Sequence, residues 1–191
     1  MKVAFIGTHG VGKTTLCFDL ASRLKRLDLS VDIVKEVARD CPLPINQETN
    51  YEAQAWILHT QCAREIASTF RFQAVVCDRA VLDNYAYLVH RIGRREELEP
   101  LVAEWTRTYD GLFKVPLWRP PQYDGTRDIN PGFQKEIDSL LDRLLLDLNV
   151  PHVRLPVRER DSWIRLILGH LGLPEEPPQI ELFPEEMSES D

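Results

Sequence analysis

The chain has 191 residues, 43% of them apolar, and carries a formal net charge of −7. That length suits one α/β domain with a sizeable core and is short for two. No stretch approaches the roughly eighteen apolar residues of a membrane span, and Met1-Lys2 leads straight into a strand-like run, so neither membrane insertion nor a secretory leader is expected and the cytoplasm is the expected location.

Val3-Ala4-Phe5-Ile6 is apolar and partly β-branched, the pattern of a buried strand. It runs into Gly7-Thr8-His9-Gly10-Val11-Gly12-Lys13-Thr14, which fits the phosphate-cradling pattern G-x-x-x-x-G-K-[ST]. Leu16, Leu20 and Leu24 then recur at helical spacing as far as about Leu27. A second strand is expected at Val31–Lys35, followed by Glu36-Val37-Ala38-Arg39 and a loop, Cys41–Asn46, broken by two prolines. From Tyr51 to Phe70 the spacing predicts a helix with Ala55, Leu58, Cys62, Ile66 and Thr69 inward and Glu52 and Glu65 elsewhere. Ala74-Val75-Val76-Cys77 is wholly apolar, as in the centre of a parallel sheet, and ends at Asp78-Arg79.

Helices are expected over Asp83–Arg91 and Glu96–Thr108, and a fourth strand over Leu112–Leu117. The proline-rich stretch from Trp118 to Pro131 reads as a surface excursion. A helix over Phe133–Leu148, with Ile137, Leu140, Leu141, Leu144 and Leu148 inward, precedes a fifth strand at His152–Leu155 and a last helix at Ser162–Leu171, with Gly172 as its C-cap. Strands alternating with helices indicate an α/β fold, a doubly wound parallel sheet covered on both faces. The reading is one domain over residues 1–173 and a mobile acidic tail over 174–191.

Seven of the 30 acids and none of the 23 bases lie beyond Leu173, so the body is formally neutral. A general nucleic-acid-binding surface is therefore not expected. Within the tail, Ile180-Leu182-Phe183 is a candidate for docking on a protein partner, and a homodimer is compatible with the sequence. Cys17, Cys41, Cys62 and Cys77 show no C-x-x-C spacing and read as reduced thiols.

The glycines of the motif let successive backbone N–H groups turn toward phosphate oxygens at the head of a helix. Gly7, His9, Gly10, Val11, Gly12, Lys13, Thr14 and Thr15 form the expected nucleotide-binding set, with His9 given no catalytic part. Lys13 is placed for the β- and γ-phosphates, and Thr14 for magnesium. Ligands of an open parallel sheet bind beyond the carboxyl ends of its strands. That rule gathers Glu36, Asp78-Arg79, the proline-rich stretch and Pro156–Arg160 around the motif. Asp78 suits magnesium support and Arg79 a phosphate contact. Glu36 suits acceptance of a hydroxyl proton. Arg127, with Arg119 second, is a lid arginine that could neutralise charge on a transferred phosphoryl group.

Gly7–Thr15, Glu36-Val-Ala-Arg39 and Asp78-Arg79-Ala-Val-Leu-Asp83-Asn84 together resemble the small P-loop kinases related to the ribosylnicotinamide kinase domain, sometimes grouped as an AAA-type ATPase/kinase family. The resemblance to deoxynucleoside and thymidylate kinases is more distant. It covers about residues 1–172 and implies a three-layer αβα P-loop NTPase sandwich, strand order 2-3-1-4-5, and ATP with magnesium. By the same analogy Glu36 is the base at the acceptor hydroxyl, Arg79 a substrate or phosphate contact and Arg127 a lid group. Asn46, Gln47, Trp56 and Gln61 are candidates for holding a nucleobase.

Two functions remain in view. One is a kinase that moves the γ-phosphoryl group of ATP to a small acceptor, a nucleoside or nucleotide. The other is a regulatory nucleotide-binding switch acting through a protein partner. The chain lacks N-K-x-D, and Asp78 is followed by Arg-Ala-Val rather than the D-x-x-G of Ras-like GTPases. The neutral body also argues against a polynucleotide-end kinase.

Overall fold

The fold follows from how apolar side chains alternate along the central strands. In a computed structural model, which describes residues 1–45, 48–118 and 131–177, β1 (Lys2–Ile6) and β3 (Ala74–Asp78) are buried along their whole length. Val3 and Phe5 of β1 and Ala74 and Val76 of β3 point into one core. Ala4 and Ile6, with Val75 and Cys77, point into the other. A sheet with apolar side chains on both faces needs helices on both.

The first core is closed by α1 (Lys13–Arg26) through Leu16, Leu20 and Leu24, and by α6 (Trp163–His170) through Trp163 and Ile167. The second is closed by α2 (Tyr51–Arg71), α3 (Val81–Ile92), α4 (Glu99–Thr106) and α5 (Pro131–Asp147), with Leu58, Tyr85, Val102, Ile137, Leu141 and Leu144 inside. β2 (Val31–Val34), β4 (Gly111–Lys114) and β5 (Val153–Arg154) complete a five-stranded parallel sheet in the order β2-β3-β1-β4-β5. This is the three-layer sandwich and the 2-3-1-4-5 order that the resemblance implies.

Two strands are shorter than the apolar runs suggest. β4 stops at Lys114: the Val115 N–H still reaches the Ile6 carbonyl (2.8 Å), but Pro116 has no N–H to continue the ladder. β5 is confined to two residues. Gly172 takes the left-handed conformation (φ 67°) expected of a C-cap. All four cysteines are free thiols. Among the described residues no helix is long and apolar enough to cross a membrane.

The larger correction concerns α2. Its inward face is Ala53, Ile57, Leu58, Gln61, Cys62, Glu65 and Ser68, whereas Ile66 is 58% exposed and Thr69 is also outside. Glu65, expected at the surface, is fully buried. Its Oε2 accepts from Lys2 Nζ (3.0 Å) and Trp105 Nε1 (2.7 Å), and its Oε1 from Gln61 Nε2 (2.8 Å) and the Tyr109 hydroxyl (2.8 Å). Lys2 Nζ lies over the Trp105 and Tyr109 rings at 4.8 and 4.5 Å. Three donors from distant parts of the chain and Gln61, one turn earlier on α2, compensate the buried carboxylate, so the helix turns its acid rather than Ile66 inward.

Two substitutions on neighbouring residues test that rotation. Ile66→Glu should change stability by no more than about 0.5 kcal/mol, as surface replacements do. Glu65→Leu should destabilise by about 3–5 kcal/mol, because it strands the Lys2 charge in the interior. Urea unfolding of the two variants measures both.

Candidate functional site

The segment between β1 and α1 wraps over the carboxyl end of the sheet. Gly7 has φ 145°, and a Cβ there would lie 2.7 Å from the Val115 carbonyl oxygen, so only glycine lets the loop leave the strand this close to the end of β4. Gly12 is the N-cap of α1, left-handed at φ 102°, with no side-chain cap. The first turn of α1 holds no acid and its last turn holds Arg23, Lys25 and Arg26, so the open N–H groups and the helix dipole favour an anion at the loop.

Side chains hold the loop from several directions. The buried Asp83 of α3 accepts from Gly7 N with Oδ1 (3.0 Å) and from Ala80 N with Oδ2 (3.0 Å). Its pKa is raised by burial, against the pull of Lys13 and Arg79. His9 is also buried, with its ring stacked on Phe133 (5.5 Å) and its Nδ1 3.4 Å from the Tyr87 hydroxyl. Gln134 of α5 donates to the His9 carbonyl (2.9 Å), and Trp118 Nε1 donates to the Val11 carbonyl (2.9 Å). His9 thus fastens the loop to α3 and α5. Val11 is likewise buried, whereas Thr14 and Thr15 are exposed.

Lys13 Nζ donates to the carbonyls of Gly7 (2.6 Å) and Thr8 (2.7 Å). Burial first, and then the charge of Arg79, pull its pKa down to about 8, against Asp83, Asp78 and Glu36. Thr14 Oγ1 donates to Asp78 Oδ2 at 2.6 Å, so the two residues expected at magnesium do meet. Hydroxyl and carboxylate oxygens are hard donors that suit magnesium. Among the described residues there is no cluster of three or more His, Cys, Asp or Glu able to hold a metal by themselves.

Glu36 sits between two guanidinium groups. Its Oε1 accepts from Arg79 Nη2 (2.7 Å) and Nε (2.9 Å), and its Oε2 from Arg39 Nε (3.0 Å). Arg79 above all holds the Glu36 pKa down to about 2, although burial opposes it. The stabilisation from this pairing is therefore fully present above the ordinary carboxylate pKa and is lost only as pH falls toward about 2. Burial alone would lower the Arg79 pKa, but Glu36, Tyr87 and Asp83 reverse this and raise it, so Arg79 stays charged. Its guanidinium lies 4.9 Å from the Tyr87 ring centroid.

Lys13, Thr14, Glu36, Arg39, Asp78 and Arg79 share the lining of one cleft of about 360 Å³. The strand ends expected to gather around the loop do so, and these residues meet in one cleft. Sequence reasoning missed Asp83, whose signal was its position at the third residue of α3, where a carboxylate can reach back to the backbone. Gln61 is fully buried and donates to Glu65 and to the Arg79 carbonyl, so it does not face a base. Trp56 is half-buried on α2 and does not line the cleft. Arg160 of the segment after β5 lies over the Trp118 ring at 3.8 Å. Asn46, Gln47, Arg119 and Arg127 lie outside the described residues.

A family model described as an AAA domain matches residues 2–162. No curated protein matches the chain in sequence. Among solved structures, the chain is similar to deoxyadenosine kinase from M. mycoides, seen with bound dATP and with the products dCMP and a flexible dCDP. The TM-score is 0.63 at 14% identity, over 90% of this chain and 99% of that one. It is also similar to the NadR protein in complex with NR, with a TM-score of 0.72 at 21% identity. That match covers 94% of this chain and 54% of NadR, so the chain corresponds to about half of that protein. At these identities the likenesses establish a shared fold. Through residues 2–162 the chain belongs to the AAA domain family, and its architecture is that of a P-loop NTPase.

Proposed function

We propose that the protein transfers the γ-phosphoryl group of ATP, with magnesium, to a hydroxyl of a small nucleoside-like acceptor. The observation that carries this reading is the meeting in one cleft of Lys13 and Thr14 with the Glu36–Arg79 pair. A nucleotide switch would also need the first two residues, and a carboxylate paired with an arginine beside them suits the alignment of an acceptor hydroxyl. The kinase neighbours of the same fold support the reading.

The loop N–H groups and Lys13 would hold the phosphates of the donor, and Thr14 with Asp78 would hold magnesium. When bound, the ion supplies neutralisation of charge on the phosphate oxygens. Glu36 would accept the hydrogen bond of the attacking hydroxyl and align it. With a pKa near 2 it is a weak base, but a loose transition state asks for positioning more than for proton abstraction. Arg79, fixed beside it, would face charge on the transferred group. Closure by Arg127 from the proline-rich stretch remains part of the proposal.

The test is incubation with magnesium-ATP and a panel of nucleosides and nucleoside monophosphates, read by product mass. Acceptor-dependent product is expected. ATP turnover indifferent to every acceptor would favour the switch instead. In the productive reaction Glu36→Gln should lower kcat by about 10²-fold or more while ATP affinity stays within about threefold; intact transfer would remove Glu36 from the mechanism.

Lys13 gives a prediction of proton linkage. Polyphosphate beside the ammonium favours its charged form, raising a pKa that stands near 8 in the free protein. Binding of inorganic pyrophosphate at pH 9 should therefore take up a proton. Affinity should fall up to about tenfold per pH unit above 8. Calorimetry in two buffers of different ionisation enthalpy measures the uptake, and Lys13→Met should abolish it.

A further inference from the structure

Arg79 is in a strained backbone conformation. Its φ is 105°, a region that residues with a Cβ rarely occupy and that costs about 1–3 kcal/mol unless the surroundings enforce it. Three side chains take up the polar backbone groups of the turn that leaves β3. Gln61 Nε2 donates to the Arg79 carbonyl (3.2 Å), Ala80 N donates to Asp83 Oδ2 (3.0 Å), and Val81 N donates to the Tyr109 hydroxyl (3.2 Å). Asp83 belongs to the loop contacts already described. The other two, Gln61 and Tyr109, converge on Glu65 Oε1, at 2.8 Å each.

We propose that Glu65, acting through Gln61 and Tyr109, is the positioning device that fixes Arg79 for phosphoryl transfer. This rests on the reading that Arg79 serves the transfer step. Glu65 is fully buried, and its four hydrogen bonds fill about as many lone-pair sites as a carboxylate offers, so it has no alternative orientation to adopt. The Tyr109 hydroxyl donates to Glu65, which obliges it to accept from Val81 N. Both N–H groups of the Gln61 amide are likewise spent, one on Glu65 and one on the Arg79 carbonyl. The node thus fixes the turn on either side of Ala80, from α2 and from the segment between α4 and β4.

One detail of the Gln61 amide favours leucine as the test residue. Gln61 Oε1 is buried and has no hydrogen-bond partner among the described residues, which is unfavourable for folding. A leucine would remove that unpaired oxygen and keep most of the packing. Leucine also withdraws a donor from the buried Glu65 and from the Arg79 carbonyl, so it lowers stability as well, and positioning is read from the rate of the folded enzyme. What leucine cannot do is hold the Arg79 carbonyl. A displacement of about 1 Å at a group facing the transition state can lower the rate by up to about 10²-fold.

The experiment is a double-mutant cycle on the acceptor that the panel identifies, with Gln61→Leu, Arg79→Ala and the double variant, and thermal melting of each. Assayed below the melting transition of every variant, Gln61→Leu should lower kcat about tenfold and leave the KM for ATP within about twofold, although its melting temperature is lower. In the Arg79→Ala background the same change should lower kcat by less than about twofold, because the residue it acts through is gone. Equal losses in both backgrounds, or an unchanged kcat in Gln61→Leu, would overturn the proposal. A fully active Arg79→Ala would overturn the assignment of Arg79 itself, before Gln61 enters. A second measurement does not depend on turnover. The Arg79 Nε–H signal in nitrogen-15 NMR should be slow to exchange in the unsubstituted protein and in Tyr85→Phe, and should broaden or exchange rapidly in Gln61→Leu and Tyr109→Phe. A signal unmoved by either of the last two would also overturn the proposal.

Discussion

The carboxylate of Asp83 ties together the two strand ends on which the site depends. One oxygen takes the first N–H of the phosphate loop and the other takes the N–H of Ala80, just beyond β3. The sheet sets Phe5 opposite Asp78, but a ladder ends where its strands end. Past that point the loop and the turn would be free to separate. Asp83 carries the register of β1 and β3 beyond the sheet, and the 2.6 Å contact between Thr14 and Asp78 depends on it. Without that link the sheet alone would not define the placing of Arg79 relative to Lys13.

The charges around this link are arranged in couples rather than in a uniform field. Lys13 turns toward the carbonyls of its own loop, Glu36 lies between Arg79 and Arg39, and Thr14 lies against Asp78. Lys13, Asp78 and Arg79 are buried, where water screens poorly, whereas Thr14 and Arg39 are exposed. Burial weakens the hold of Lys13 on its proton, and Arg79 strengthens the hold of Glu36 on its negative charge. The effect is an ammonium that gains from an incoming anion and a carboxylate that remains an acceptor at every physiological pH. These are complementary properties for a donor side and an acceptor side.

The phosphate loop was legible in the sequence because its pattern is local. Glycines, lysine and threonine within eight residues state a backbone shape and a ligand together. The strands were legible because a doubly covered parallel sheet leaves apolar runs such as Ala74–Cys77. The rotation of α2 was not, because apolar periodicity treats Glu65 as a surface residue. Only the folded chain brings Lys2, Gln61, Trp105 and Tyr109 to one carboxylate. The same blindness placed Gln61 at a nucleobase, since a buried amide and a substrate-reading amide look alike in a sequence. Glu36 lay between these cases: its position at a strand end was readable, but its clamping by Arg79, 43 residues away, was not.

Buried charge is a poor route to stability, since well-packed apolar residues of similar volume often do as well or better than an ion pair. This chain nonetheless buries Lys2 with Glu65, and Asp83 beside Arg79 and Lys13. What ionic groups add is direction. A carboxylate with every lone pair engaged admits one arrangement of its neighbours, whereas an apolar contact of the same area tolerates sliding. Glu65, through Gln61 and Tyr109, and Asp83 directly both hold the short turn from Arg79 to Val81 that follows Asp78 at the end of β3. Their placement is what a site needs when catalysis rests on holding groups still rather than on strong acids or bases. The weak basicity of Glu36 and the strained φ of Arg79 are then consistent features of one design, in which rigidity around the β3 turn takes the place of chemical force.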